Sequence, residues 1–473
     1  MSCAKSLMLW CLEKTQEYWL YVEAFSKRPE RRELVQITGE NRSIYVRDTA
    51  RFSGLSCPAL AAFLLVAAVT RAGGIPGPSV LDSATPLVIG HALTLHSSVL
   101  DEDRRLLIHL PADYETTEQP LPVIYLLDGR AHFNHTTATV DLLGVNARMP
   151  RSIVVGIDNT DRSRDFTAVV TEGRSSGGAD LFLEFIESEL IPFVDGNFRT
   201  APHRTLIGHS LGGSFVVHVL VERPDLFDAA IAISPAVNND ERGEGLPSVS
   251  ERLADSLENR KSQTFSLFIT MSDGEDARWE TDLETVIDVL KTNASSSFEW
   301  EFRRMEGEDH GTTVHGSTYL GLRFINSDWD TTGLVRNGTL AELVARFDGL
   351  SERLGYEIRP PELMVNLLGY RLLGEGRGKE AIEVFEYNTD LYPDSANVDD
   401  SLGEALERAG RLPGAMRSYR KAVAKGQASG DRSLSIFQAN LDRVEALLLE
   451  ERASRRRIFE TSEGERPDGG ARY

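Results

Sequence analysis

The most constraining feature of this 473-residue chain is the string Thr205-Leu-Ile-Gly-His-Ser-Leu-Gly-Gly213. It contains a G-x-S-x-G motif that directly follows a predicted strand and directly precedes a predicted helix. So sharp a strand-to-helix turn forces the central serine into a strained backbone conformation, which only small flanking residues permit. Gly208 and Gly212 provide that space. The motif therefore predicts a nucleophile, Ser210, at the carboxyl edge of a sheet.

Around this motif, short apolar runs alternate with helical segments from about residue 86 onward. Continuous apolar runs are typical of strands buried on both faces of a mainly parallel sheet. The predicted strands are Leu87–Ile89, Leu106–Leu110, Pro122–Leu127, Ser152–Ile157, Thr205–Ile207, Ala229–Ile233, Ser266–Thr270 and Phe298–Phe302. The predicted helices include Ala179–Phe193, Gly213–Val221 and Asp276–Lys291. This alternation predicts an α/β fold with a mainly parallel sheet covered by helices, over residues 85–332.

Beyond about residue 335 the predicted strands give way to a train of helices. Two segments there are self-similar at a period of 34 residues: Gly369, Gly376, Ala381 and Phe385 recur as Gly403, Gly410, Ala415 and Tyr419. This is the period of the tetratricopeptide repeat (TPR), a helix pair in which small residues allow close approach and an aromatic side chain fills the groove. We predict TPR-like helical repeats over 335–450, serving a protein partner or self-association, and a disordered tail over 451–473. An ordinary helical bundle is the alternative.

The N-terminal residues 1–84 read as an extension that contains one apolar run, Pro58–Val69. The run is shorter than the roughly 20 apolar residues that a bilayer span needs, and it has the length of a signal-peptide core. Because it lies far from Met1, a true start downstream of Met1 would explain its position. We expect a signal-peptide or anchor segment at 58–72 and an exported protein, periplasmic or secreted; a membrane tether and a cytoplasmic location are the alternatives.

Charge and cysteine content exclude several classes of function. The formal net charge is −21, and no strongly basic run lies on the predicted folded part, so nucleic acid is not an expected partner. All three cysteines, Cys3, Cys11 and Cys57, precede the predicted folded region. That region therefore has neither a disulfide framework nor a thiolate metal site.

A serine hydroxyl is a poor nucleophile until a base removes its proton, and that base is oriented by an acid. His310 lies in a polar loop just after the last predicted strand and is the preferred base; His315 is the less suitable candidate. The acid candidates share one loop after the strand that ends at Thr270. They are Asp273, Glu275 and Asp276, of which Glu275 is preferred.

The tetrahedral intermediate of acyl transfer needs two preorganised amides. One amide belongs to Leu211, directly after the nucleophile. The second is assigned to Arg130, in the predicted loop after the third strand, where Gly129 lets the backbone come close. His132 and His135 have H-x-x-H spacing, but no carboxylate or thiol accompanies them. Neither a metal nor a cofactor is therefore expected.

Residues from about 86 to 330 resemble the putative esterase family of α/β hydrolases, which includes enterochelin esterase, S-formylglutathione hydrolase and the mycolyltransferases. The resemblance is carried by Tyr125–Gly129, Gly156–Asp165, the turn Gly208–Gly213 with Glu222–Phe227 behind it, and Asp309–Gly311. It implies an α/β-hydrolase fold and a serine esterase that acts on a small-molecule ester. The substrate-binding residues that it implies are Asp128, Gly129, Asn159, Asp161, Arg162 and His209.

Three other functions stay open at this point, and peptidase activity is the weakest of them. The mycolyltransferase resemblance permits acyl transfer to an alcohol other than water. The helical region instead permits a docking protein with a vestigial hydrolase domain.

Overall fold

The computed structural model describes residues 18–20, 35–37, 84–237, 247–259 and 264–464. In a first unit, Met1–Pro86, two three-residue strands, Tyr18–Leu20 and Val35–Ile37, pair antiparallel. The segment 58–72, for which a signal peptide or anchor is predicted, and the three cysteines lie outside the described residues. Within the described ranges, every helix is too short or too polar to span a membrane.

The second unit, Leu87–Tyr473, contains an eight-stranded sheet. Its strands are β1 (His91–Ser97), β2 (Glu102–His109), β3 (Leu121–Leu126), β4 (Ile153–Ile157), β5 (Thr200–His209), β6 (Ala229–Ile233), β7 (Phe265–Ser272) and β8 (Phe298–Met305). Their spatial order is β8-β7-β6-β5-β3-β4-β2-β1. Only β2 pairs antiparallel with its neighbours, β1 and β4; the remaining pairs are parallel. The predicted mainly parallel sheet is confirmed.

The central strands are buried on both faces, as their apolar runs predict. Every residue of β3, β4 and β6 is buried. The prediction was wrong at the sheet edge: Leu87, Val88 and Ile89 form no strand and are 96%, 71% and 50% exposed. The edge strand is β1, which is mostly exposed and carries polar residues between and beside its leucines, namely His91, Thr94 and His96, so its sequence lacks a continuous apolar run.

Helices cover both faces of this sheet. They are α1 (Gly129–Val145), α2 (Arg162–Phe166), α3 (Ala179–Phe185), α4 (Ile191–Asn197), α5 (Leu211–Glu222), α6 (Val249–Asn259), α7 (Ala277–Asn293) and α8 (Thr313–Ile325), with a π-helical turn, Ile186–Leu190, joining α3 to α4 and a 3-10 turn at Tyr114–Thr116. Side chains of α1 and α8 pack on one face, and those of α3 to α7 pack on the other.

The rest of the unit is helical. Its elements are a 3-10 turn at Ser327–Trp329, then α9 (Thr332–Asn337), α10 (Leu340–Leu354), α11 (Glu362–Gly374), α12 (Gly378–Leu391), α13 (Ala396–Arg408), α14 (Leu412–Ser429) and α15 (Leu434–Gly464). From α11 to α15, each helix packs against the next one along the chain. The predicted helical region is thus confirmed.

The 34-residue period is visible in the packing of this region. A Cβ atom added to Gly369 would lie 2.6 Å from the Phe385 ring, and one added to Gly403 would lie 2.6 Å from the Tyr419 ring. Each glycine therefore admits the aromatic ring of the following helix. Assignment to the TPR class stays a prediction.

The predicted disordered tail differs from the structure over its first part. Helix α15 continues through residue 464, so 451–464 is helical. This stretch is rich in Arg and Glu, which are good helix formers, and Glu451 pairs with Arg455 one turn later. Residues 465–473 lie outside the described residues.

Candidate active site

Ser210 occupies the sharp turn that its motif predicts. It lies between the end of β5 at His209 and the start of α5 at Leu211, with φ 60° and ψ −121°. Its N–H donates to the Ile233 carbonyl at 2.9 Å, which ties the turn to the neighbouring strand. A Cβ on Gly208 would lie 2.5 Å from the carbonyl carbon of Gly212. The positive φ of a non-glycine residue is therefore enforced by its surroundings.

His310 and Glu275 lie together at the same edge of the sheet. The two atoms His310 Nδ1 and Glu275 Oε1 are 2.8 Å apart, and the Glu275 side chain is only 4% exposed. Among the described residues, neither the Ser210 hydroxyl nor His310 Nε2 makes a hydrogen bond. The imidazole is thus oriented through one nitrogen, while its other nitrogen is unoccupied.

The structure separates the three acid candidates. Asp273 accepts a hydrogen bond from the Gly307 N–H at 2.7 Å, and Asp276 caps α7 by accepting the Arg278 N–H at 2.9 Å. Both side chains belong to exposed residues that stabilise local backbone. Glu275 is the one of the three that contacts His310.

Two serines that the sequence analysis did not single out support Glu275. Ser272 is fully buried and its hydroxyl donates to the same Oε1 atom that faces His310. The Ser272 N–H in turn donates to the Ser234 hydroxyl at 3.1 Å. Burial acts to raise the pKa of Glu275, but the hydrogen bonds from Ser272 and His310 outweigh it and lower that pKa.

The two amides predicted to bind an oxyanion both lie in the first turn of a helix. Leu211 begins α5, and Arg130 is the second residue of α1, a helix that the sequence analysis interpreted as a loop. Neither backbone N–H has a hydrogen-bond partner in the part of the chain that the structure describes. A Cβ on Gly129 would lie 2.7 Å from the Gly156 backbone, so glycine permits the start of α1 to approach β4.

The predicted substrate-binding side chains Asp128, Asn159 and Arg162 bind one another. Asp128 is buried with φ 53°, and its Oδ1 accepts hydrogen bonds from Asn159 and from Arg162 Nε. Asp161 caps α2 through the Arg164 N–H at 3.1 Å and also accepts from Ser175. These contacts occupy both carboxylates within the protein.

His209 belongs to a row of rings that the sequence did not reveal. Its ring centroid lies 4.6 Å from that of His310 and 5.6 Å from that of His132. The row continues from His132 to His135 and then to His315, with 5.4 Å between centroids at each step. His315 is thus placed at the far end of the row, where it stacks on His135. Trp279, in the first turn of α7, flanks the opposite end at 5.5 Å from His310.

Burial keeps the inner imidazoles neutral. It lowers the pKa of His209 to about 4, with further contributions from His310 and His132, and it lowers the pKa of His135 to about 4. Across the described residues, no three His, Cys, Asp or Glu side chains are grouped so that they could hold a metal ion. His209 Nε2 lies 2.8 Å from the His310 carbonyl oxygen and so joins the nucleophile turn to the histidine loop.

Residues 97–328 match the model of the family described as Putative esterase. The chain is 28% identical over 233 residues to the ferri-bacillibactin esterase BesA of Bacillus subtilis. The match covers 43% of this chain and 78% of that protein. It is 36% identical over 138 residues to the siderophore triacetylfusarinine C esterase of Aspergillus fumigatus, covering 26% of this chain and 47% of that protein. The chain thus spans just under half of the second relative.

Among solved structures, an IroE-like serine hydrolase from Shewanella oneidensis is similar, with a TM-score of 0.56 and 24% identity. The match covers 64% of this chain and 99% of that one. At this identity the likeness bears on the fold, and it agrees with the α/β-hydrolase fold that the sequence predicts.

Proposed function

We propose that residues 97–328, an esterase region of the α/β-hydrolase type, cleave ester bonds through an acyl-Ser210 intermediate. In this proposal His310 is the general base and Glu275 is the acid that orients it. The helix-start amides of Leu211 and Arg130 form the oxyanion hole. No step requires a metal or a cofactor.

The reaction divides into two acyl transfers. His310 Nε2 takes the Ser210 proton as Oγ attacks the ester carbonyl carbon, and the carbonyl oxygen becomes an oxyanion. His310 then returns the proton to the departing alkoxide, which leaves as an alcohol, and the acyl group stays on Ser210. A water molecule, deprotonated by His310, attacks this acyl-enzyme. The second oxyanion then collapses and breaks the bond to Ser210 Oγ, and His310 returns the proton to Oγ, which releases the acid and restores the Ser210 hydroxyl.

One observation carries the proposal: the buried Glu275 carboxylate lies 2.8 Å from Nδ1 of His310, whose Nε2 makes no hydrogen bond with any described residue. The contact favours the tautomer with hydrogen on Nδ1 and a lone pair on Nε2. It also stabilises the imidazolium that forms during attack. The strained φ of Ser210 supports the same reading, since such strain is typical of an exposed nucleophile on a tight turn.

We propose esters of the siderophore class as substrates, because the two relatives described above are named as esterases of ferri-bacillibactin and of the siderophore triacetylfusarinine C. A panel that pairs siderophore-type esters with short-chain and aryl esters, each with and without bound iron, would test this assignment. Equal kcat/KM across the panel would contradict it. Adding an acceptor alcohol to the same assay would show whether the acyl group passes to water or, as in a mycolyltransferase, to another hydroxyl.

The acyl-serine mechanism is tested with a fluorophosphonate probe, which forms a covalent bond with an activated serine. We expect the wild-type protein to be labelled at Ser210 and the Ser210→Ala variant to lose both labelling and ester hydrolysis. Ser188→Ala is the matched control, since that serine is exposed on a helix and bonds only the Glu184 carbonyl. Labelling that persists in Ser210→Ala would refute the assignment, and an unlabelled wild type would favour a vestigial domain.

Export and docking by the helical region 335–450 stay predictions. Sedimentation velocity over a range of protein concentrations would test self-association. A concentration-independent monomer would leave a partner protein as the expected ligand of that region.

A further inference from the structure

Arg162 bridges the two segments that supply the proposed oxyanion hole. Its Nε and Nη2 atoms donate to the two oxygens of Asp128 at 2.6 and 2.9 Å, and Nη2 also donates to the His209 carbonyl at 3.1 Å. Asp128 immediately precedes Gly129 at the start of α1. His209 immediately precedes Ser210. One guanidinium therefore connects the start of α1 to the nucleophile turn.

Contacts made by helix α2 hold the Arg162 side chain in place. Arg162 is the first residue of α2, and its guanidinium carbon lies 5.5 Å from the centre of the buried Phe166 ring. Two residues further on, Arg164 pairs with Glu102 on β2. Asp165, fully buried, pairs with the buried Arg104 of the same strand at 2.7 Å. Helix α2 is thus anchored to the sheet.

The backbone at Asp128, which the Arg162 guanidinium contacts, is strained and depends on that contact. Asp128 is a non-glycine residue with φ 53°, and its buried carboxylate has Asn159 as its other partner. Such a conformation persists only where the surroundings over-determine it. The amide of Arg130 lies two residues after Asp128, so the orientation of Asp128 fixes where that amide points.

We propose that Arg162 is a positioning residue that sets the spacing of the Leu211 and Arg130 amides, rather than a residue that binds substrate. The inference rests on the proposed function, because it assigns Arg162 a task within that oxyanion hole. A planar guanidinium satisfies two carboxylate oxygens and a carbonyl in one fixed geometry, which a lysine ammonium cannot reproduce. Arg162→Lys should therefore keep the charge and lose the spacing.

The test compares ground-state and transition-state binding in the full-length protein. For hydrolysis of p-nitrophenyl butyrate by Arg162→Lys, we expect kcat to fall about 10- to 100-fold, since misplacing a catalytic group by about 1 Å can cost ~10²-fold, and KM to change less than about twofold. The inhibition constant of an aryl trifluoromethyl ketone, whose serine adduct carries an oxyanion, should rise by the same factor as kcat falls. A residue with only a structural role would not move these two quantities together.

Arg443→Lys is the matched control, because Arg443 makes the same kind of contact, through Nε and Nη2 to the two oxygens of Glu407, on a helix outside residues 97–328. Its kcat and its trifluoromethyl ketone affinity should stay within about twofold of wild type. The double variant Asp128→Asn/Arg162→Gln removes both charges together and so avoids leaving a buried carboxylate unpaired. It should show the same joint loss as Arg162→Lys.

Three results would overturn the inference. A raised KM with unchanged kcat in Arg162→Lys would make Arg162 a substrate-binding residue. Unchanged kcat and inhibitor affinity in both folded variants would show that the bridge has no catalytic effect. A wild-type protein that neither hydrolyses esters nor reacts with a fluorophosphonate would instead refute the proposed function, and the task of Arg162 with it.

Discussion

Replacing Glu275 with glutamine isolates the contribution of a single negative charge to the proposed mechanism. Both observed hydrogen bonds, from His310 Nδ1 and from the Ser272 hydroxyl, go to Oε1 of the glutamate. The amide oxygen of glutamine can accept the same two bonds, so the fold and the histidine orientation should survive. What is lost is the attraction between the carboxylate and the imidazolium that forms as Ser210 is deprotonated.

The magnitude follows from Coulomb's law. Two unit charges about 4 Å apart interact by about 4 kcal/mol at an effective dielectric constant of roughly 20, which suits a site at the protein surface. Each 1.36 kcal/mol corresponds to a factor of ten in rate, so Glu275→Gln should lower kcat about 10³-fold. KM should change little, because the charge pair exists only after proton transfer.

The assay is steady-state hydrolysis of p-nitrophenyl butyrate, with thermal unfolding recorded for the same preparations. Asp276→Asn is the control, because this neighbouring carboxylate caps α7 without contacting His310; its kcat should stay within about twofold of wild type. A Glu275→Gln variant that is folded and within about threefold of wild-type kcat would refute the assignment of Glu275 as the acid. An equal loss in both variants would point to damage of the whole loop.

Two further predictions concern stability. Gly403→Ala would place a methyl group 2.6 Å from the Tyr419 ring and should lower the free energy of unfolding by about 1–3 kcal/mol through overpacking. The control Gly349→Ala, whose added methyl group would have no atom within 4 Å, should be neutral or stabilising. Equal thermal unfolding midpoints for the two variants would contradict the packing argument. The pKa of His135 is about 4 in the folded chain and about 6.5 when unfolded, so the unfolded state binds more protons between these values and stability falls as pH drops from 6.5 towards 4. His135→Leu should reduce this pH dependence of the unfolding midpoint, whereas the control His96→Leu, at an exposed ring, should not. An unfolding midpoint that changes equally with pH in wild type and in His135→Leu would be inconsistent with a buried neutral imidazole.

The sheet was predictable wherever a strand is buried on both faces. The predicted strand Ala229–Ile233 matches β6 at both ends, because all five of its residues are apolar and buried, so the apolar run and the strand have the same bounds. The edge strand β1 was missed, since one-sided burial breaks the apolar run. Helix α1 was also missed, because threonines such as Thr136 and Thr139 take up much of its buried side and weaken the apolar stripe, and its start carries Gly129 and Arg130, residues that equally suit a loop.

The candidate site was predictable where chemistry depends on order along the chain. Ser210, Glu275 and His310 follow from a motif and from the sequence of strands that precede each loop. The bridge formed by Arg162, the contact between Ser234 and Ser272, and the row of rings from His310 through His209 and His132 to His315 could not be read in advance. Each joins segments that are tens of residues apart, and a single sequence carries no signal for such pairing.

The packing of helices α11 to α15 affects how this part of the chain unfolds locally. Because each helix there rests on its sequence neighbours, its cohesion is local and accumulates along one dimension. We expect amide hydrogen exchange to grade along this column, fastest at the outermost helix and slowest where the column meets the sheet-bearing part. We therefore expect that the loss or gain of one helix pair at the outer end would change the length of this column and leave the packing of the sheet in place.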